Sequence, residues 1–215
     1  MNPDTLRHAV TEAGIVPILM AGNADPETAV ALADGLVAAG ARVIEVLFRS
    51  SAAPGVLADI RKRHPGLLLA AGTILDATGA ARAVAAGADF MVSPGLSPAL
   101  HAAAQGAGLP LVPGVNTASE VQHARELGYL VQKFYPAWDH GHLRLPEFAV
   151  IYPDVSFLVT GGIESDSVTA FARHRNVAAV GGTWMLGSAA AAAALAADLD
   201  RFRAARAEPG AGHAY

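Results

Sequence analysis

The stretch Phe90-Met91-Val92-Ser93-Pro94-Gly95-Leu96-Ser97-Pro98 holds one unit of the fold. An apolar run reads as a buried strand, Pro94-Gly95 closes it, and Ser97-Pro98 opens a helix. The same order recurs in both directions. Apolar runs lie upstream at residues 15–20, 43–48 and 67–71, and downstream at 109–112, 131–136, 155–159 and 177–180. Alanine-rich stretches with helical spacing follow each run. Helix starts are marked at Asp25-Pro26-Glu27, Asp76 and Asn116-Thr117, and helix ends at Gly40, near His64-Pro65-Gly66 and at Gly128. Pro113-Gly114 closes the fifth run. An irregular segment over 137–145 precedes a short helix over 146–151, and another helix covers about 165–174.

Near-continuous apolar strands alternating with helices imply a parallel sheet covered on its faces. Eight such units in one domain-sized chain predict an α/β fold, a single-domain (β/α)₈ barrel over residues 1–215. An open doubly wound sheet would need a glycine-rich phosphate fingerprint after an early strand, and Met20-Ala21-Gly22-Asn23-Ala24 is not one. Residues 1–14 form an extra helix over the barrel floor. The tail from about Arg206 frays.

Composition narrows the function. The chain is 53% hydrophobic and 16% charged, with a formal net charge of −4 and no cysteine. Disulfides, zinc–thiolate sites and thiol nucleophiles are therefore excluded. No long basic run suggests nucleic acid, and no apolar run is long enough to suggest a membrane span. The N-terminal residues lack a secretory hydrophobic region, so a cytoplasmic protein is expected.

The polar residues of the apolar runs then stand out. The chain has two lysines. Lys62 lies in the charged run Arg61-Lys62-Arg63-His64, whereas Lys133 lies within Val131-Gln132-Lys133-Phe134-Tyr135-Pro136. A desolvated lysine tends to lose its proton and become a nucleophile. A cation paired with a carboxylate, or snorkelling from a strand end, is the plainer alternative. Glu45 sits inside the second run, and Arg49 follows it on the same face of an extended strand. Thr73 ends the third run. Thr160-Gly161-Gly162 and Gly181-Gly182-Thr183 end the last two, where barrels commonly bind phosphate. Each could also be an ordinary turn. Asp139, His140 and His142 form a weak metal signal that a surface loop explains better.

With these residues placed, the chain resembles the 2-dehydro-3-deoxy-phosphogluconate aldolase family, class I aldolases of the Entner–Doudoroff pathway. The resemblance rests on Val43-Ile44-Glu45-Val46-Leu47-Phe48-Arg49-Ser50, Ala71-Gly72-Thr73-Ile74-Leu75, Val92-Ser93-Pro94-Gly95-Leu96, Val112-Pro113-Gly114-Val115, Lys133-Phe134-Tyr135-Pro136, Thr160-Gly161-Gly162-Ile163 and Gly181-Gly182-Thr183-Trp184. It implies Lys133 as the Schiff-base lysine and Glu45 as the general acid/base. Arg49 and Thr73 would hold the pyruvyl carboxylate. Thr160, Gly161, Gly162, Gly182 and Thr183 would form the phosphate pocket, with Pro94 and Tyr135 also contacting substrate. It implies no cofactor, no metal and a homotrimer. Phe48, Tyr135, Glu164 and the segment Trp138-Asp139-His140-Gly141-His142 depart from the family pattern. The expected activity is cleavage of 2-keto-3-deoxy-6-phosphogluconate. The alternatives are the same chemistry on 4-hydroxy-2-oxoglutarate, 2-keto-3-deoxy-6-phosphogalactonate or an unphosphorylated sugar acid. A barrel isomerase and a non-catalytic sugar-phosphate-binding barrel are rivals from other classes.

Overall fold

The computed structural model describes residues 1–21, 26–138, 141–186 and 189–208. Strands β1 (Ile15–Met20), β2 (Val43–Leu47), β3 (Leu68–Gly72) and β4 (Phe90–Val92) are followed by β5 (Leu111–Val112) and β6 (Gly114–Val115). Then come β7 (Val131–Phe134), β8 (Ser156–Thr160) and β9 (Val177–Gly182). All paired strands run parallel, in the order β5-β4-β3-β2-β1-β9-β8-β7-β6. The two ends of that order, β5 and β6, are neighbours in the chain with Pro113 alone between them. Leu111 and Val112 pair with β4, and Gly114 and Val115 pair with β7. β5 and β6 are thus halves of one strand, and the nine segments close into an eight-stranded barrel.

Pro113 was expected to end its strand. Instead the strand changes partner there. Proline has no N–H to donate, but its carbonyl accepts from the Lys133 amide at 2.8 Å. The missing donor therefore falls where the ladder switches sides.

The helices are α1 (Pro3–Ala13), α2 (Pro26–Ala38), α3 (Ala53–Arg63), α4 (Ala77–Ala86), α5 (Pro98–Ala107), α6 (Ala118–Glu126), α7 (Gly141–Ile151), α8 (Val168–Ala172) and α9 (Ala189–Ala207). The side chains of Asp76, Ser97 and Thr117 cap α4, α5 and α6 by accepting a backbone N–H three residues on. Asp25 lies outside the described residues.

Two helical boundaries differ from expectation. α7 begins at Gly141 and carries Pro146 inside it. Leu145 and Phe148 are buried, and this apolar contact outweighs the hydrogen bond that the proline forfeits. α8 is shorter than 165–174. The Ser167 hydroxyl bonds to both the N–H and the carbonyl of Glu164, at 3.1 and 2.8 Å, and this local turn competes with the first helical turn. α9 runs to Ala207, and the Arg206 guanidinium donates to the Val177 carbonyl. Residues 209–215 lie outside the described part.

α1 explains why the barrel is polar at one end only. Its Asn2 cap, Pro3 start and Gly14 stop present Leu6, Val10 and Ala13 on one face. These pack on the inward side chains Val16, Val43, Ala70, Phe90, Val112 and Leu158. The alternate residues, among them Ile44, Leu69, Phe134 and Val159, belong to the separate outer core under the helices. The N-terminal half of the barrel is thereby filled with apolar side chains. Apart from Ser156 at the start of β8, the polar inward residues lie toward the C-terminal half.

The barrel seam can be tested. A Cβ on Gly114 would overlap the Pro94 carbonyl group and lie 2.7 Å from the Gly95 nitrogen, both of them backbone. Gly114→Ala should lower stability by about 1–3 kcal/mol or more. Gly106, exposed in α5 with open space around it, is the contrast, and Gly106→Ala should stabilise by roughly 0.5–1 kcal/mol. Urea midpoints at constant m-value read both.

Candidate active site

Alternation along the strands decides where Lys133 points. It is in register with Leu158 of β8, which faces the barrel interior, so Lys133 faces inward too. Glu45 pairs with inward-facing Ala70 of β3 and is inward on the same grounds. Across the barrel, Lys133 Nζ lies 3.5 Å from Glu45 Oε1. Lys133 is 7% exposed and Glu45 0%. The separation is long for a charge-assisted hydrogen bond, ordinarily about 2.7–2.9 Å. The two groups are close enough to exchange a proton, directly or through water, and are not locked together.

The energetics argue that this pair is not a stability device. At an effective dielectric constant near 20, charges about 3.5 Å apart attract by roughly 4–5 kcal/mol. Desolvating each ion costs several kcal/mol, so the two effects roughly cancel. Among the described residues, Glu45 Oε2 and Thr160 Oγ1 are also buried with no protein hydrogen-bond partner, and a buried acceptor left so costs about 1–3 kcal/mol. A barrel selected for stability alone would carry apolar residues at these positions.

The surrounding residues fix the pair. Gly72 of β3 is required by close approach, because a Cβ there would overlap Glu45 Oε1 and lie 2.7 Å from its Cγ. Gly114 is in register with Lys133, and the Pro94-Gly95 backbone lies against it. The Ser93 hydroxyl donates to the Gly95 carbonyl at 2.6 Å and shapes that turn. Asn116 Nδ2 donates to the Pro136 carbonyl at 3.1 Å, steadying the exit of β7. The Tyr135 ring centroid lies 5.4 Å from Lys133 Nζ. Gly72, Ser93 and Asn116 were visible in the sequence only as members of longer stretches. Their contacts are too distant along the chain, or too geometric, to show as spacing.

Arg49 and Thr73 form a second group at the barrel mouth. Arg49 follows β2, is exposed, and its Nε donates to Thr73 Oγ1 at 3.1 Å. Thr73 has φ 61°, a left-handed conformation that is rare for a β-branched residue and clusters at functional sites. The next residue back is Gly72, so the strained threonine adjoins the glycine that admits Glu45. Arg82 on α4 supports this rim. Its guanidinium lies 5.7 Å from the Phe48 ring centroid and donates to the Ser50 carbonyl at 3.0 Å.

The third group comprises the Gly161-Gly162 turn and the end of β9, which keeps Gly181 and Gly182 within the strand and leaves Thr183 just beyond it. Gly161 and Gly162 have φ of 92° and 73°, so side chains there would be strained. The chain leaving β7 continues to pair with this turn. Ala137 N–H donates to the Thr160 carbonyl at 2.9 Å and Trp138 N–H to the Gly161 carbonyl at 3.1 Å. Trp138 is thereby laid against Gly162. Thr160, grouped with these turns in the sequence, is buried and in register with Gly181. It is the next inward residue after Leu158, the register partner of Lys133, and leads directly into Gly161-Gly162. Glu164 is exposed. Asp139, His140 and the His142 side chain lie outside the described residues, and no cluster of metal-binding side chains occurs among the described ones. Among the described residues, no helix is long and apolar enough to cross a membrane.

A family model described as KDPG and KHG aldolase matches residues 6–203. The chain belongs to the KDPG/KHG aldolase family. It is 38% identical over 183 residues to the 2-dehydro-3-deoxy-phosphogluconate aldolase of Treponema pallidum, covering 85% of this chain and 86% of that one. Among solved structures, it resembles the 2-keto-3-deoxy-6-phosphogluconate aldolase of Zymomonas mobilis with 3-phosphoglycerate. That match has a TM-score of 0.84 and 32% identity, over 99% of this chain and 100% of that one. It also resembles the KDPG aldolase of Legionella pneumophila, with pyruvate captured at low pH as a covalent carbinolamine intermediate. There the TM-score is 0.81 and the identity 31%, over 95% and 98% of the two chains. Members of this family are lyases, and the enclosed amine–carboxylate pair is the equipment such chemistry needs.

The role of Gly72 can be checked directly. Gly72→Ala should push Glu45 away from Lys133 and lower aldol turnover by about 10²-fold, while near-native circular dichroism is retained. Unchanged turnover would show that the close approach does not matter.

Proposed function

We propose that this chain is a class I aldolase that cleaves 2-keto-3-deoxy-6-phosphogluconate to pyruvate and glyceraldehyde 3-phosphate. The observation carrying the proposal is the buried Lys133 amine 3.5 Å from the Glu45 carboxylate, in the polar half of the barrel. The Lys133 amine, as its free base, attacks the C2 carbonyl and forms a carbinolamine. Loss of water leaves a protonated imine. Glu45, through a water, takes the proton from the C4 hydroxyl. The C3–C4 bond breaks, its electron pair passes into the imine, and the aldehyde leaves. The resulting enamine is protonated at C3 with help from Glu45, and hydrolysis of the imine releases pyruvate and restores the lysine. The imine is the electron sink, so the residues need no cofactor for this step.

Arg49 binds the substrate carboxylate, because its planar fork can do so bidentately and keeps its charge. Thr73, already its hydrogen-bond partner, completes that end. The turns at Gly161-Gly162 and Gly182-Thr183 receive the phosphate, with Tyr135 and Pro94 lining the space between the two ends. Thr160, which leads into the first of these turns, belongs with them. The family resemblance extends the reading to a cytoplasmic homotrimer. A trimer would give a place to exposed apolar side chains such as Leu143, Val150 and Ile151 on α7. The second substrate in the family's name, 4-hydroxy-2-oxoglutarate, carries a carboxylate where the phosphate arm would be and is the natural competitor.

Pyruvate release, followed with a coupled lactate dehydrogenase, tests the reading. The phosphorylated sugar acid should be cleaved with the highest kcat/KM, ahead of its unphosphorylated form and 4-hydroxy-2-oxoglutarate. Lys133→Ala should abolish release in a folded protein, and Glu45→Gln should lower kcat by about 10²–10⁴-fold. Near-normal turnover by Lys133→Ala would remove the lysine from the mechanism.

A further inference from the structure

Glu45 and Asp198 are the buried carboxylates among the described residues, and the mechanism uses only the first. Asp198 is 1% exposed and lies on α9, well beyond both glycine turns in the chain. Its Oδ2 accepts from the Trp184 indole N–H at 2.8 Å. Its Oδ1 accepts from the Ser165 hydroxyl at 2.9 Å and from the Arg201 guanidinium. Arg201 also donates to Ser165 Oγ at 2.7 Å and to the Ser165 carbonyl at 3.2 Å. Ser165 closes the segment that begins with Gly161-Gly162, and Trp184 directly follows Gly182-Thr183. One carboxylate therefore grips both turns.

The turns also touch. A Cβ on Gly182 would overlap the Trp184 ring and lie 3.1 Å from the Ile163 carbonyl oxygen. The indole held by Asp198 thus packs beside Gly182, next to the Ile163 carbonyl of the first turn. Apolar residues could bury α9 against the barrel as well as this carboxylate does. Directional, charge-assisted hydrogen bonds add a fixed spacing.

We propose that Asp198 is a positioning residue that sets the separation of the two glycine turns, and so the affinity for the phosphorylated end of the substrate, without touching it. This rests on the phosphate reading given above. Two variants test it. Asp198→Asn removes the charge. Trp184→Phe keeps an aromatic ring beside Gly182 and removes only the N–H, so it serves if the first variant folds poorly. Each should raise KM for the phosphorylated sugar acid about tenfold, the worth of one such hydrogen bond. Inhibition by inorganic phosphate should weaken in parallel. Both kcat and the kcat/KM for the unphosphorylated sugar acid should stay within about twofold, and the double variant should be little worse than either single one. Equal losses on both substrates would assign Asp198 a merely structural role, and an unchanged KM would remove it from binding; either overturns the proposal. A wild-type enzyme indifferent to phosphate, as substrate group and as inhibitor, would instead overturn the phosphate reading and this proposal with it.

Discussion

The approach of one amine and one carboxylate inside a closed barrel is the constraint that the remaining features accommodate. Lys133 and Glu45 are 88 residues apart in the chain, and only closure of the sheet brings them within reach. Closure depends on the strand broken at Pro113, whose halves pair with β4 on one side and with β7 on the other. α1 packs the opposite end with apolar side chains, so Lys133 and Glu45 meet inside the other half of the barrel. Glycine at 72 leaves room for Glu45, and glycine at 114 lets the Pro94-Gly95 turn lie beside Lys133.

The surrounding groups grade outward from that buried pair. A strained threonine and its arginine partner lie at the rim, and the left-handed glycines lie beyond Tyr135. A substrate with a keto acid at one end and an anion at the other matches that sequence of environments. On the proposed reading, chemistry would occur where water is scarce, and the charged ends would stay nearer solvent, where cations and backbone groups could meet them at lower desolvation cost.

Much of this architecture was legible along the chain, for identifiable reasons. Strands covered on both faces read as continuous apolar runs, and the capping residues Asp76, Ser97 and Thr117 mark helix starts through purely local hydrogen bonds. A buried lysine is conspicuous in a chain with only two. The meaning of Pro113 was hidden, because a proline that ends a strand and one that switches its partner look alike until the sheet is assembled. Pro146 misled for a related reason: tertiary burial of Leu145 and Phe148 carries α7 past it. Gly72 stood in the sequence only as part of a strand end, and nothing along the chain marked Asp198. Each acquires its role from atoms remote in sequence, which no periodicity records. The link from Lys133 to Glu45, Arg49 and Thr73 came from family resemblance, since spacing alone could not join them.

The central claim is tested most directly by treating the protein with pyruvate and borohydride and mapping the modified peptide by mass spectrometry. The experiment is clean because the only other lysine, Lys62, is exposed and paired with Asp59 at 2.8 Å. The account predicts a reduced pyruvyl adduct on the Lys133 peptide alone, formed only when pyruvate is present. No adduct, or one carried by Lys62 or the terminal amine while Lys133 stays unmodified, would contradict it.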